Sequence, residues 1–395
     1  MKYPLLNSSA EAKKTTETKV VKMQLFDSLT QYRGDRVKLA RLAKGMSGED
    51  VANALGVTKQ FISKLERGYP PADAMLSQLA KVLGVYESFF FTPRPHPLDG
   101  EHCHFRSKRS RTQTLANTVM ARAEILDEFI RRLEVEVEFP VLDLPDVSEL
   151  PSQSPSDIER IAEECRRYWE LGLGPINSMS NFVEGIGIVI AHVSDVDDRI
   201  DAFTVNNVRP IIIRNNAKKS ICRYRSDIGH ELGHLVLHEG VITGDKVTEN
   251  QADHFSSAFM IPRVSFINEF PKMRGSHLDW NALEDFKVRW KISLRMSLYR
   301  ACLLGLITPE KMRTGFIHLN SKGFVSTEKG DDRITGDSPG MMQQAISMLD
   351  DHSWEAVLED AMIKPEFVRD NFGINRPIAP QGDNLVSIYK YKNFG

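Results

Sequence analysis

Residues 226–239 read SDIGHELGHLVLHE, and the spacing inside that stretch decides what the surrounding chain must build. His230 and His234 stand four apart, so on a helix they share one face with Cβ atoms about 5–6 Å apart, and both imidazoles can reach one ion. Glu231 then lies beside that ion without being forced to ligate it. Ile228, Leu232, Leu235, Val236 and Leu237 make the helix apolar nearly all round, which predicts burial. Buried imidazoles and carboxylates need compensation, and a metal supplies it. A chance pairing of two histidines on an exposed helix would lack that apolar surround.

A third ligand has to come from a second element if the site is to keep an open position for water. His238 is eight residues from His230, roughly 12 Å along a helix, and cannot share its ion; it reads as a surface or supporting histidine. A histidine ten residues after His230 would mark the metzincin pattern, but that position is Gly240, so that class is excluded. The better candidate is Glu249 in TENQADHF (248–255), with Thr248 as the expected N-cap of a new helix. Asp253, four residues on, shares its face and can orient a ligating histidine. His254, on another face, is the weaker alternative ligand.

Outward from this centre the chain has an ordinary globular composition. Its 395 residues are 41% hydrophobic and 26% charged, with 51 basic against 53 acidic side chains and a net charge of −2. Near-neutrality excludes a uniformly basic nucleic-acid coat but leaves room for a local basic module. Four cysteines stand far apart with no CxxC, which argues against a disulfide framework or thiolate zinc finger and for reduced thiols in the cytoplasm. No apolar run reaches the length of a membrane helix, and the N-terminus lacks the apolar core of a secretory signal. Composition shifts divide the chain into an arm (1–28), a compact helical block (29–92), a Pro/His/Arg-rich connector with one long helix (93–150), a mixed α+β segment (151–272) and a mainly helical remainder (273–395). The long helix, expected over Thr112–Glu138, carries a stripe of Leu115, Val119, Ala123, Leu126, Ile130 and Leu133 that needs a partner surface, its own chain or a second copy in a homodimer. Hairpins are expected at Ile200–Arg214, turning near Asn206-Asn207, and at Gly315–Ser326. The cluster His102-Cys103-His104 reads as exposed connector rather than a metal site.

Residues 46–68 have helix-turn-helix grammar. Ser47 caps a first helix whose Val51, Ala52 and Leu55 face inward, Gly56 makes the tight turn, and Thr58 caps a second helix closed by Gly68. Ile62 and Leu65 bury that second helix. Its other face shows Lys59, Gln60, Ser63, Lys64 and Arg67, donors suited to phosphates and to base edges in a major groove. Residues 33–87 hold nine basic and six acidic side chains, a local charge of +3 in a chain of −2.

Two resemblances follow from these motifs. The run GVTKQFISKLERG (56–68) is similar to the XRE, phage repressor-like, helix-turn-helix family. GLGPI (172–176), GIGIVI (185–190), IDAFTV (200–205), RYRSDIGHELGHLVLH (223–238) and ENQADHFSSAFMIP (249–262) together resemble the ImmA/IrrE family of metallopeptidases. The chain departs from that family's usual pattern at Ser226-Asp227, where Phe-Thr is common, and at Gly229, where Ala is usual. These resemblances imply a multidomain, mainly α chain: a five-helix repressor-like domain, a long connecting helix, an α+β zincin-like peptidase domain and a helical C-terminal region. They further imply zinc held by His230, His234 and Glu249, Glu231 as catalytic base, double-stranded DNA as one partner, and a protein substrate, a repressor among the candidates. The rival expectation is a transcription factor whose zincin-like domain senses a ligand or partner and never cuts; a third is one half of a toxin–antitoxin or phage-defence switch. The sequence leaves the second donor for the oxyanion open among Arg225, His254 and Tyr299.

Overall fold

Local signals start and stop each helix of the first block: α1 (Gly34–Ala43), α2 (Gly48–Leu55), α3 (Lys59–Glu66), α4 (Asp73–Leu83) and a closing 3-10 turn (Glu87–Phe91). The Ser47 hydroxyl accepts from Asp50 N while the Asp50 carboxylate accepts from Ser47 N, a reciprocal cap at the start of α2. Gly56 ends that helix in the left-handed conformation, and Thr58 Oγ1 accepts from Phe61 N to start α3. The computed structural model describes residues 31–98, the backbone of 103–105, and residues 113–152, 154–193, 202–207, 209–215, 220–241, 243–324 and 327–376. The arm expected over 1–28 lies outside them, as does His102.

The long helix is α5 (Gln113–Glu136), and its stripe is covered by its own chain: Val119, Ala123, Leu126, Ile130 and Leu133 are buried in one core with the helix-turn-helix block. Arg36 joins the two, donating both to the Glu128 carboxylate at 2.8–2.9 Å and to the carbonyls of Thr92 and Pro93. Arg122 adds a bond to Ala43 O.

Downstream come α6 (Pro155–Tyr168), α7 (Met179–Gly185), α8 (Ile221–Leu237) and α9 (Lys246–Met260), packed on one face of a small sheet. The strands β1 (Cys103–Phe105), β2 (Val189–Val193), β3 (Ala202–Val205) and β4 (Ile211–Asn215) lie in the order β1-β3-β4-β2. β3 and β4 form the expected antiparallel hairpin, while β2 and β4 run parallel. Side chains alternate between faces along each strand. Ile190 and Ile212 face α8 and α9, and Ala191, Phe203, Val205, Ile211 and Ile213 face α5 and the end of the chain. The edge strand β1 corrects the reading of residues 103–105 as bare connector, for it pairs antiparallel with β3.

Beyond α9, the helices α10 (Arg263–Glu269), α11 (Trp280–Trp290), α12 (Leu294–Leu303) and α13 (Pro309–Ser321) enclose a third core around Phe266, Phe286, Trp290 and Leu298. A hairpin at Gly315–Ser326 does not form. Thr308 caps α13 with Pro309 in its first turn, and Gly315 sits inside the helix because any Cβ there would meet Leu298 Cδ1 at 2.5 Å. The last helices, α14 (Met341–Ser347), α15 (Asp351–Asp360) and α16 (Pro365–Phe372), leave that core and join the first one. Tyr86 N donates to Met362 O and Lys364 N to Gly84 O, so the junction of α15 and α16 is stitched to the helix-turn-helix block. The region after residue 273 is thus two packing units rather than one.

Candidate metal centre and DNA-binding face

Helix α8 is buried along almost its whole length, as its apolar residues require. It lies directly against α9, and two glycines permit the approach. A Cβ at Gly233 would come within 3.1–3.3 Å of Phe255 and the Ala252 backbone, and one at Gly229 would meet Ser256 Oγ at 2.7 Å. Helix α9 starts three residues earlier than expected. Asp245, not Thr248, is the N-cap, its carboxylate accepting from Val247 N and Thr248 N; Thr248 falls inside the first turn and turns its hydroxyl back to Asp245 O.

This packing gathers His230, His234 and Glu249 into one cluster. The two Nε2 atoms lie 3.1 Å apart, His230 Nε2 is 3.5 Å from Glu249 Oε2, and His234 Nε2 is 3.4 Å from Glu249 Oε1. With ligand bonds of about 2.0–2.1 Å, atoms sharing a tetrahedral ion are spaced about 3.3 Å apart, so these distances suit a single divalent cation.

The hydrogen bonds behind the cluster set which ring nitrogens face it. Gln251 Nε2 donates to Ser152 O at 2.9 Å, which turns Gln251 Oε1 toward His238 Nε2, also at 2.9 Å. His238 Nε2 therefore carries hydrogen, its Nδ1 accepts, and His234 Nδ1 donates to it at 3.0 Å, leaving the His234 Nε2 lone pair for the cluster. His230 Nδ1 donates to Asp253 Oδ1 at 2.8 Å, with the same result for its Nε2. Burial pushes the His234 imidazole below its ordinary pKa, which favours this neutral form. For Glu249, burial raises the carboxyl, and the hydrogen bonding and charge that would bring it down to about 2 come only from protonated Nε2 atoms of His230 and His234, not from their neutral, lone-pair form. The carboxylate thus asks for positive charge that burial denies to the histidines. A bound cation removes the conflict, and the buried Glu249 Oε1, with no hydrogen-bond donor among the described residues, is where it would reach.

Glu231 projects from the same helix toward the sheet, where Thr204 Oγ1 of β3 donates to its Oε2 at 2.6 Å. Sequence spacing did not single out Thr204 or Gln251. Its signal was one hydroxyl in the otherwise apolar run Ala202–Val205, which alternation puts on the face of Ile212.

The alternatives are placed elsewhere. His254 Nε2 is 3.0 Å from Glu159 Oε1, and Arg300 holds the same carboxylate with both amino groups at 2.8 and 3.0 Å, so His254 belongs to a buried ionic knot joining α6, α9 and α12. Arg225 is buried against Asp337. Tyr299 is 37% exposed, and burial and then the Asp253 charge raise its pKa.

In the first block, Lys59, Gln60, Ser63, Lys64 and Arg67 are all exposed on one side of α3, opposite the buried Ile62 and Leu65. Lys59 makes only a loose 4.0 Å contact with Glu49, and Arg67 Nε donates to Ser63 O.

Comparison with known proteins assigns both parts. Residues 37–90 match the family described as helix-turn-helix, and residues 183–301 match the IrrE N-terminal-like domain, a peptidase-type family. Relatives include uncharacterized HTH-type transcriptional regulators from Sinorhizobium medicae (strain WSM419) and Rhizobium meliloti (strain 1021). Each is 40% identical over 63 residues, 16% of this chain and 45% of the relative. The chain therefore spans about half the length of the curated relatives it matches. Among the described residues, no helix is long and apolar enough to cross a membrane.

Proposed function

We propose that this chain, which joins a helix-turn-helix DNA-binding domain to an IrrE-type peptidase domain, is a cytoplasmic regulator that cuts a protein, a repressor being the first candidate, through a zinc centre of His230, His234 and Glu249. The observation that carries the reading is the convergence of His230, His234 and Glu249, with Glu231 of the same helix held by Thr204.

His230, His234 and Glu249 would hold the zinc, which would supply Lewis acidity toward water and the scissile carbonyl. Glu231 would serve as the general base toward the attacking water and return the proton to the leaving amine. Thr204 fixes the rotamer of Glu231 through its Oε2. Asp253 and the pair His238–Gln251 hold the imidazoles in the ligating tautomer. Tyr299 is the remaining side-chain donor for charge developing on the carbonyl oxygen. On α3, Lys64 and Arg67 neutralise phosphates while Gln60 and Ser63 reach base edges.

The test pairs metal analysis with cleavage. Purified protein should hold about one zinc per chain, and Glu231→Gln should keep it, because that change removes the base and preserves size. Incubation with co-encoded repressors should give cleavage products that chelator and Glu231→Gln both abolish. A wild-type chain that holds zinc, regulates its promoter and cuts nothing, with regulation intact in Glu231→Gln, would leave the non-cutting sensor in place of the peptidase.

A further inference from the structure

Strand β3 carries the hydroxyl that holds Glu231, and its outer edge is taken by the chain itself. Cys103, His104 and Phe105 stand opposite Val205, Thr204 and Phe203 in antiparallel register. The backbone of residue 104 therefore runs about 4.8 Å, one strand spacing, from that of residue 204, whose side chain touches Glu231.

A sheet edge offers backbone donors and acceptors to any extended chain, whatever its side chains. A scissile peptide must bring its carbonyl beside the base, and the edge of the strand that positions the base is the surface able to align it. β1 is three residues long, lies at the end of the strand order, and comes from the segment joining the helix-turn-helix block to α5. So short a strand is held by a few backbone bonds and can be exchanged for a longer one.

We infer that the β3 edge is a binding site for an extended peptide, and that Cys103–Phe105 is a built-in occupant which a protein substrate must displace. The inference deepens the peptidase reading and rests on it for its biological meaning, but peptide capture is measurable without cleavage.

The test uses the zinc-loaded full chain with Glu231→Gln, so that nothing is cut, and a labelled synthetic peptide EHSHFRS, the sequence of residues 101–107 with serine in place of cysteine. One chain keeps residues 103–105; the other carries C103G, H104S and F105G. At least tenfold tighter peptide binding to the second chain is expected. Equal affinities, or binding to neither, would overturn the inference. To separate competition from misfolding, a Val205→Cys chain sets a thiol across from native Cys103. With the resulting disulfide closed, binding should vanish and then return on reduction; binding indifferent to the bond overturns the inference again. In the corresponding Glu231 chains, freeing the edge should raise kcat/KM mainly through KM. Absence of cleavage in both would reject the peptidase reading while the binding result still decides the edge.

Discussion

His238 touches no shared ion, yet the protonation of His234 runs through it. The carbonyl of Ser152 orients Gln251, Gln251 orients His238, and His238 takes the hydrogen of His234 Nδ1. His238→Ala should therefore weaken zinc binding about 10–100-fold in a chelator competition while leaving one zinc per chain at saturation. Glu249→Ala should lose the metal outright. Unchanged affinity in His238→Ala would show that the relay orients nothing. The spacing of four brought His230, His234, Glu249 and Asp253 together on paper because helical periodicity is local. Thr204 and Gln251 were not legible, since the first depends on which strand packs under α8 and the second on a carbonyl 99 residues away. His254 looked available as a ligand only because its true partners, Glu159 and Arg300, stand 95 and 46 positions away in sequence, their shared carboxylate visible only once α6 and α12 are packed.

At the scale of elements, the approach of α8 to α9 is what brings ligands from two helices within 3.5 Å. Gly229→Ala would drive a methyl into Ser256 Oγ, which already donates to Ser226 O. Overpacking of this kind costs about 1–3 kcal/mol, readable as a lower denaturant midpoint, and Gly229→Ala combined with Ser256→Ala should recover most of it. No recovery would place the strain in the α8 backbone instead. On α3, Gln60→Ala should relax sequence preference, whereas Lys64→Ala should weaken all DNA alike and reduce the salt slope by about 1; identical effects of the two changes would remove the distinction between reading and anchoring. The helix-turn-helix elements were legible because Ser47, Gly56 and Thr58 act within four residues of themselves. Two capping residues three apart, Asp245 and Thr248, left the start of α9 ambiguous. β1 escaped notice because three residues show no alternation, and their partner lies about a hundred residues downstream.

Across the whole molecule, the segment between the third core and α14 ties the helix of His230 and His234 to the helix-turn-helix block. Asp337 accepts from Arg225 of α8 and from Ser178, Met179 N and Ser180 N at the start of α7. Three residues later Glu184 of α7 accepts from Gly340 N and Met341 N, seating the first turn of α14, and α14–α16 then pack into the core of the first block. None of this is periodic, so it had no signature in the sequence. It does have a pH signature. Burial pushes the Glu184 carboxyl up to about 7, against the pull of the two amides. An unfolded glutamate ionises near pH 4.3, so between those values the folded chain holds a proton that the unfolded chain has released. The stability gained from this group is full below about pH 4.3 and is lost as pH rises through 7. Glu184→Gln cannot ionise, but it keeps an acceptor for only one of the two amides, because Gly340 N and Met341 N bond different oxygens; that loss is the same at every pH. The stability of the variant relative to wild type should therefore rise by roughly 3 kcal/mol between pH 5 and pH 8, read from urea midpoints. Parallel curves for the two chains would mean that the amides outweigh burial and that Glu184 is a carboxylate throughout, in which case the seat of α14 does not respond to pH.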